Sequence, residues 1–142
     1  SEDSKLSWDW RVDALPSDLA EDTMPTHDYL SIAVEFDNGQ DITWYWSAEL
    51  PPETIYRCPL PTWKARETHI VIRSGSQGLG DWHSEHRNVF DDCIRALGSP
   101  AARIVRVWFI ANSLFQRQRG ECTYRNVRLT GGGQTVSLPA EP

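Results

Sequence analysis

Tryptophan is the residue type that most clearly suggests a binding role for this chain, since seven tryptophans occur among 142 residues. The apolar C–H face of a sugar packs on an aromatic ring, while its hydroxyl groups bond to carboxylates, amides and guanidinium groups. The candidate sugar-binding rings are Trp44, Trp46, Trp82 and Trp108. Burial is the competing interpretation, because large aromatic side chains more often fill a core. Trp82 is the best candidate for an exposed ring, because glycine-bounded segments like the one around it often carry function.

Arg87 and Asn112 are the polar candidates for the same ligand site. Within a helix, Arg87 would pair with Asp91 or Asp92, four and five residues later, for roughly 0.2–0.5 kcal/mol. Alternatively, Arg87 turns inward and forks onto a carboxylate or a ligand hydroxyl group. The two aspartates are adjacent and point about 100° apart on a helix, which disfavours a paired acid and base.

Histidine and cysteine spacing does not predict a metal centre. His83 and His86 are three residues apart, but the order H-S-E-H differs from the H-E-x-x-H of zinc proteases. The cysteines Cys58, Cys93 and Cys122 are too far apart for a C-x-x-C motif, and a zinc site built on them would need histidines from distant strands. We therefore expect no metal and no cofactor. The thiols are interpreted as structural, with a single Cys58–Cys122 disulfide as the alternative.

Catalysis is the alternative function, although the chain has no G-x-S-x-G elbow. An aromatic-lined pocket could serve a cyclase, isomerase or lyase, with His69, Glu35 or Asp92 moving protons. A protein-interaction domain is a third possibility. Non-catalytic binding of a small molecule or glycan is the preferred interpretation.

Charge and hydropathy exclude other partners. The formal net charge is −6 and the pI is near 5.1, which argues against a nucleic-acid footprint. No apolar run approaches the roughly 20 residues needed to span a bilayer, so no membrane partner is expected. The N-terminus lacks a signal-peptide pattern and resembles a trimmed or mature chain, and we expect a periplasmic or secreted location. The oligomeric state is left open.

The elements that would position these residues are mostly strands. Alternating or β-branched patterns predict strands over residues 6–12, 29–36, 42–47, 67–73, 103–111, 122–129 and 135–138. Asn38-Gly39 predicts a hairpin between the second and third of these. The proline-rich segment 50–62 predicts a surface connection with a short edge strand around Tyr56. The nearly continuous apolar run 103–111 predicts a central strand covered on both faces.

Residues 79–97 predict a loop leading into the only helix. Asp81 or Ser84 offers an N-cap oxygen, and apolar residues recur from Val89 to Leu97 at helical spacing. Gly98 and then Pro100 predict the end of the helix. We expect Asp91, Asp92 and Arg95 to face water. The combined pattern predicts one all-β domain over residues 1–142, an antiparallel jelly-roll sandwich with a short covering helix, and the alternative is a closed barrel capped by that helix.

Several motifs resemble the bacterial DUF3047 family. They are W-x-W-R-V near the N-terminus, a glycine turn at 75–82 that ends in L-G-D-W and is similar to the family's G-x-x-L-G-x-W, R-N-V-x-x-D at 87–92, the strand 104–110 and the strand 122–129. The resemblance implies a sandwich similar to galactose-binding-like domains, which usually hold carbohydrate. Two segments depart from the family pattern: 111–114 lacks its acids, and 124–126 reads Tyr-Arg-Asn instead of Tyr-Gly-Asp. These departures weaken the implication of a family metal or polar site on those two segments.

Overall fold

Two sheets and one short helix make up the fold, in a computed structural model that describes residues 2–100 and 103–138. Residues 1, 101–102 and 139–142 of the predicted domain lie outside the described part. The elements are β1 (Lys5–Ala14), a 3-10 turn (Met24–Thr26), β2 (Tyr29–Phe36), β3 (Asp41–Ser47), β4 (Ile55–Arg57), β5 (Glu67–Ser74), β6 (Trp82–Asn88), α1 (Val89–Leu97), β7 (Ile104–Asn112), β8 (Glu121–Gly131) and β9 (Gln134–Leu138). The prediction of a mainly β fold in two layers is confirmed.

The sheets have four and five strands. The four-stranded sheet has the order β6-β1-β8-β9, and the five-stranded sheet has the order β4-β5-β3-β2-β7. The first and last described strands, β1 and β9, lie in the same sheet, as expected for the two ends of the chain. Among the described residues no helix has the length and apolar character required to cross a bilayer.

Indole rings from both sheets meet in the core between them. Trp8 of β1 lies 6.4 Å from Trp44 of β3, and Trp10 lies 5.8 Å from Trp46, measured between ring centroids. All four rings are at most 1% exposed. Burying an aromatic side chain of this size contributes roughly 1.5–3 kcal/mol, so these contacts hold the two sheets together.

The strand pattern explains the β2–β3 hairpin. Asn38-Gly39 forms the turn, and Gly39 has a φ of +82°, a value that an L side chain rarely adopts. Ile32 then faces Trp44 across the pair. The alternation of apolar and polar residues over 29–36 predicts a strand with one buried face, and this is wrong because the Tyr29 face of β2 is buried as well.

Two loops cover that second face. Residues 15–28 and 48–66 contribute buried side chains over the outer side of the five-stranded sheet, including Glu21, His27 and Cys58. We call this surface the covered face, and its strand residues are Tyr29, Ser31, Thr43, Tyr45, Ser47 and His69. The outer side of the four-stranded sheet, the open face, carries Asp9, Arg11, Trp82, Ser84 and Arg125. Strand β7 borders the covered face at the sheet edge, so its predicted central position is wrong.

The strands are not all antiparallel. Strand β3 pairs with β5 in parallel, with Thr43 opposite His69 and Trp44 opposite Ile70. This pairing corrects the fully antiparallel expectation. The short strand β4 is the predicted edge strand around Tyr56 and pairs antiparallel with β5.

Part of the predicted loop-to-helix segment is a strand. Residues 82–88 form β6, and only Val89–Leu97 is helical, with the Asn88 side chain accepting a hydrogen bond from the Asp91 amide at 3.0 Å. Asp81 and Ser84 are therefore not the N-cap. The predicted end at Gly98 is confirmed, with a left-handed φ of +75°. Asp91 and Arg95 are exposed as expected, whereas Asp92 is buried.

Candidate ligand groove and buried histidine-cysteine cluster

The six predicted ligand residues separate into different places. Trp44 and Trp46 lie in the core, 0% and 1% exposed, which removes them from the set that a ligand can contact. The Trp44 indole N–H donates to Asp92 at 2.9 Å, and that of Trp46 donates to the Gly75 carbonyl at 2.9 Å. Their polar atoms are satisfied inside the protein, as is usual for buried indoles.

Trp82 is partly exposed, but cations of the protein itself cover its ring. It begins β6 on the open face, where the Arg125 guanidinium carbon lies 3.8 Å from the ring centroid and that of Arg11 lies 5.5 Å away. A guanidinium over an indole is a favourable cation–π contact. A sugar would therefore have to displace a cation to stack on this ring.

Arg87 pairs with Asp92, one of its two predicted partners, but from strand β6 and not within a helix, and it turns inward to bind carboxylates as in the second alternative. Its Nε donates to Asp92 at 2.8 Å, and its Nη1 donates to Glu53 at 2.7 Å. The hydrogen bonds from Arg87 hold the pKa of Glu53 below its usual value. Arg87 is thus occupied by protein carboxylates and ties β6 to α1 and to the loop after β3.

Trp108 and Asn112 do come together, in a groove of about 480 Å³ beside β7. The opposite wall is made by Trp63 and Leu60 from the segment between β4 and β5. Tyr29 also lines the groove. Pockets that bind small ligands span roughly 300–1,000 Å³, so this groove has a suitable size.

The groove carries both apolar and polar chemistry. Trp63 and Trp108 are partly exposed, and the Trp108 indole N–H is buried without a hydrogen-bond partner among the described residues. Glu67, which also lines the groove, is 6% exposed, and burial raises the pKa of its carboxyl group. The described lining contains no arginine and no lysine. These groups suit a ligand with an apolar face and hydroxyl groups.

Asn112 joins the groove to the loop over the covered face. Its side-chain amide donates to the His27 carbonyl at 2.8 Å, and its oxygen accepts from the Leu114 amide at 3.2 Å. One amide hydrogen and one oxygen lone pair are left by these two bonds. Asn112 therefore shapes the groove and still has hydrogen-bonding capacity.

A buried cluster of His27, Cys58 and His69 lies behind Tyr29. The Tyr29 ring centroid is 4.7 Å from that of His27 and 5.1 Å from that of His69. The potential ligand atoms of the three cluster residues all lie within 4.8 Å of one another. Imidazole and thiol are the donor types that zinc prefers in proteins, so the cluster has the chemistry of a metal site.

Hydrogen bonding differs among the three members. The Cys58 sulfur lies 3.5 Å from His27 Nε2, and His27 Nδ1 lies 2.7 Å from the Glu21 carbonyl oxygen. Neither ring nitrogen of His69 has a partner among the described residues. Burial raises the pKa of the Cys58 thiol to about 11 and lowers the pKa values of both histidines, so all three side chains favour their neutral forms.

The residues considered for proton transfer are otherwise engaged or enclosed. Glu35 pairs with Arg106 at 3.4 Å, and Asp92 pairs with Arg87. His69 is fully buried. The cysteines Cys58, Cys93 and Cys122 are all free, so the alternative disulfide does not form.

Sequence reasoning missed Trp63, Glu67, His27 and Cys58. Trp63 directly follows the proline-rich segment 50–62, and His27 lies in an acidic loop. In neither place do apolar residues recur at the spacing of a strand or a helix. An aromatic residue inside such a connection was the available signal for Trp63. The signal for the cluster was weaker, because its members come from two loops and a strand.

Comparison with known proteins identifies a family. The family model described as "Protein of unknown function (DUF3047)" matches residues 1–128. No curated protein and no solved structure matched the chain. Because the family model covers most of the chain, this protein belongs to the DUF3047 family, as its sequence motifs indicated.

Proposed function

We propose that this protein binds carbohydrate without catalysis, in the groove between Trp63 and Trp108. The observation that carries the proposal is the convergence of two partly exposed indoles, a carboxyl group and an amide in one concave surface. Sugars offer an apolar C–H face for the rings and hydroxyl groups for polar atoms such as those of Glu67 and Asn112.

The charges of the groove favour a neutral glycan over an anionic one. Among the described residues the lining includes the Glu67 carboxyl group and no cationic side chain. The guanidinium carbons of Arg66 and Arg106 lie 5.3 Å from the Trp63 ring centroid and 5.8 Å from the Trp108 ring centroid, and both arginines pair with Glu35, so a uronate would have to compete with that carboxylate for a cation. Two arginines on the four-stranded sheet and the loop before it pair with protein carboxylates: Arg119 pairs with Glu121, and Arg125 pairs with Asp9. A neutral polysaccharide is the class of ligand that fits this groove.

We further propose that the sandwich is of the galactose-binding-like jelly-roll type. The two sheets with a shared aromatic core support this placement. The parallel pairing of β3 with β5 is a departure from a fully antiparallel jelly roll. The proposal of sugar binding rests on the groove and not on this likeness of fold.

An enzyme that acts on a small molecule has less support. Glu35 and Asp92 are held in ion pairs, and His69 lies behind the Tyr29 ring, which separates it from the groove. A proton-transfer group must reach the reacting atom directly or through one water. Glu67 is the one carboxyl group in the described lining of the groove, and the other lining side chains are apolar, aromatic or neutral and polar, so the groove holds no pair of an acid and a base.

Binding to a panel of neutral and uronate-containing glycans, followed by calorimetry, tests the proposal. Trp108→Ala should weaken binding of the best neutral glycan by roughly fivefold or more, because a ring that stacks on the ligand contributes on the order of 1 kcal/mol or more. Trp82→Ala is the matched control, since it removes a partly exposed indole from the open face. It should leave affinity unchanged.

Two results would contradict the proposal. Wild-type protein that binds no neutral glycan at millimolar concentration would exclude the groove as a sugar site. Loss of binding in Trp82→Ala with full binding in Trp108→Ala would move the site to the open face. Circular dichroism of both variants confirms that each remains folded.

A further inference from the structure

We propose that His27, Cys58 and His69 form a zinc-binding site within the covered face. Three donor atoms of the types that zinc prefers converge there, and all three side chains are at most 1% exposed. The inference is independent of carbohydrate binding and departs from the sequence-based expectation of no metal.

The distance between the Cys58 sulfur and the His27 Nε2 atom suits two ligands of one tetrahedrally coordinated zinc ion. With Zn–S of about 2.3 Å and Zn–N of about 2.0–2.1 Å, a sulfur and a nitrogen ligand of one zinc lie about 3.6 Å apart. The Cys58 sulfur lies 3.5 Å from His27 Nε2. No separation in the group exceeds 4.8 Å, so shifts of about an ångström would bring all three atoms to coordination distance.

His27 is oriented as a ligand by its second nitrogen. A carbonyl oxygen only accepts hydrogen bonds, so the contact of Nδ1 with the Glu21 carbonyl at 2.7 Å places the proton on Nδ1. The lone pair of Nε2 then points toward Cys58. Metal-binding histidines commonly donate their other N–H to a carbonyl or carboxylate in this way.

His69 supplies the independent evidence for a ligand. It is fully buried, and neither of its ring nitrogens has a partner among the described residues. Leaving a buried polar group unpaired is unfavourable, and a bound ion would satisfy one nitrogen. Its ring stacks on Tyr56 at 5.1 Å and 14° between planes, which fixes the ring beside His27.

Three protein ligands leave a fourth coordination position. Structural zinc sites use four protein ligands, whereas a three-ligand site keeps one position for water or another small molecule. Tyr29 separates the cluster from the groove and contacts both histidine rings. The assignment therefore is a buried three-ligand zinc site with its fourth position filled by a small exogenous ligand such as water.

Metal analysis and cobalt substitution of the full chain test this site. Purified wild-type protein should contain about one zinc per chain, and Co²⁺ added to chelator-treated protein should give a thiolate-to-cobalt charge-transfer band. Cys58→Ser should abolish that band and weaken zinc binding by roughly 100-fold or more, since loss of an outer-shell partner alone costs 10–100-fold. Cys122→Ser, which removes a half-buried thiol outside the cluster, should keep both properties.

His69→Phe separates a metal ligand from a packing residue. Phenylalanine keeps the stack on Tyr56 and removes both ring nitrogens, so a purely structural His69 would allow a folded variant with unchanged zinc content. The zinc proposal instead requires a folded variant that has lost zinc binding. If neither variant folds, alkylation of Cys58 in folded wild-type protein with and without chelator decides: removal of zinc must speed its reaction with iodoacetamide, and an unchanged rate would contradict the proposal. Wild-type protein without stoichiometric zinc and without the cobalt band would overturn the proposal.

Discussion

The two outer surfaces of this sandwich are built from similar alternating strands but have opposite physical character. The covered face holds Thr43, His69 and also Asp41, which lies on the Thr43 side of β3, away from water under two loops. The open face leaves Arg125 exposed and Asp9 partly exposed. Burial raises the pKa of Asp41 to about 8, while hydrogen bonds from Ser84 and Asn126 lower the pKa of Asp9. The polar residues of a strand thus mark the face that points away from the core. Whether that face is exposed to solvent depends on the loops that pack over it.

The largest expected difference between the faces is the cost of losing an aspartate. Asp28 is fully buried and accepts hydrogen bonds from the backbone amides of Phe115 and Gln116. Asp28→Ala should lower the free energy of unfolding by about 2–4 kcal/mol, because both amides lose a charged acceptor. Asp9→Ala removes a carboxylate with three hydrogen-bond donors on the open face and should cost less than about 1 kcal/mol. Urea unfolding measures both, and equal costs would contradict the distinction.

Stability should also depend on pH in a way that only the covered face explains. The pKa of Asp41 is about 8 in the folded protein against 3.8 as the ordinary value, because of burial and then of the nearby Glu67 and Glu35 carboxylates. Between those values the folded state holds the extra proton, so the free energy of unfolding falls as pH rises, by up to about 1.4 kcal/mol per unit. Lowering the pH from 8 to 6 should therefore add a contribution from Asp41 of about 2 kcal/mol to the free energy of unfolding.

Asp41→Asn should remove the part of this dependence that belongs to Asp41, because the amide does not ionise. Burial also raises the pKa of Glu21 to about 7, so a smaller slope of the same sign should remain. Asp9→Asn is the control. The lowered pKa of Asp9 contributes stability that is lost only as pH falls below its ordinary range, so this variant should keep the slope between pH 6 and 8. Urea unfolding at pH 6, 7 and 8 measures each slope. A wild-type slope that survives in Asp41→Asn would assign the effect to another group.

The smallest effect is expected at the Trp82 ring. Its contacts with Arg125 and Arg11 lie at the surface, where a cation–π interaction is worth roughly 0.5–1 kcal/mol. Trp82→Ala should therefore destabilise the protein by about that amount. A double-mutant cycle with Arg125→Ala should assign most of the loss to this pair. A cost above about 3 kcal/mol would show that the open face is as tightly packed as the covered one.

Local patterns in the sequence were enough to predict most strands. The alternation of Leu6, Trp8 and Trp10 identified β1, and Asn38-Gly39 identified the hairpin. Strand β6 was missed because its inward side chains, His83, Glu85 and Arg87, are polar, so no apolar alternation marks it. They are satisfied by specific partners: Glu85, for example, accepts from the Trp10 indole N–H at 3.2 Å.

The candidate site was predicted only in part. Trp108 and Asn112 are four residues apart in β7, and because side chains alternate between the two faces of a strand, the strand pattern could place them on the same face. The continuous apolar character of β7 nevertheless suggested a central strand, because an apolar groove at the sheet edge and a buried face look alike in sequence. Trp63 and His27 lie in loops without period, and no local rule predicts what such loops cover.

The parallel neighbours β3 and β5 have one more consequence. A tight turn can join only antiparallel strands, so the chain leaving Ser47 had to travel back along the sheet before it could enter β5. The connection that runs back along the sheet contains Cys58, which belongs to the buried cluster, and Trp63, which forms a wall of the groove. In this protein the path of one connection, more than the composition of any strand, created the places where another molecule or ion can bind.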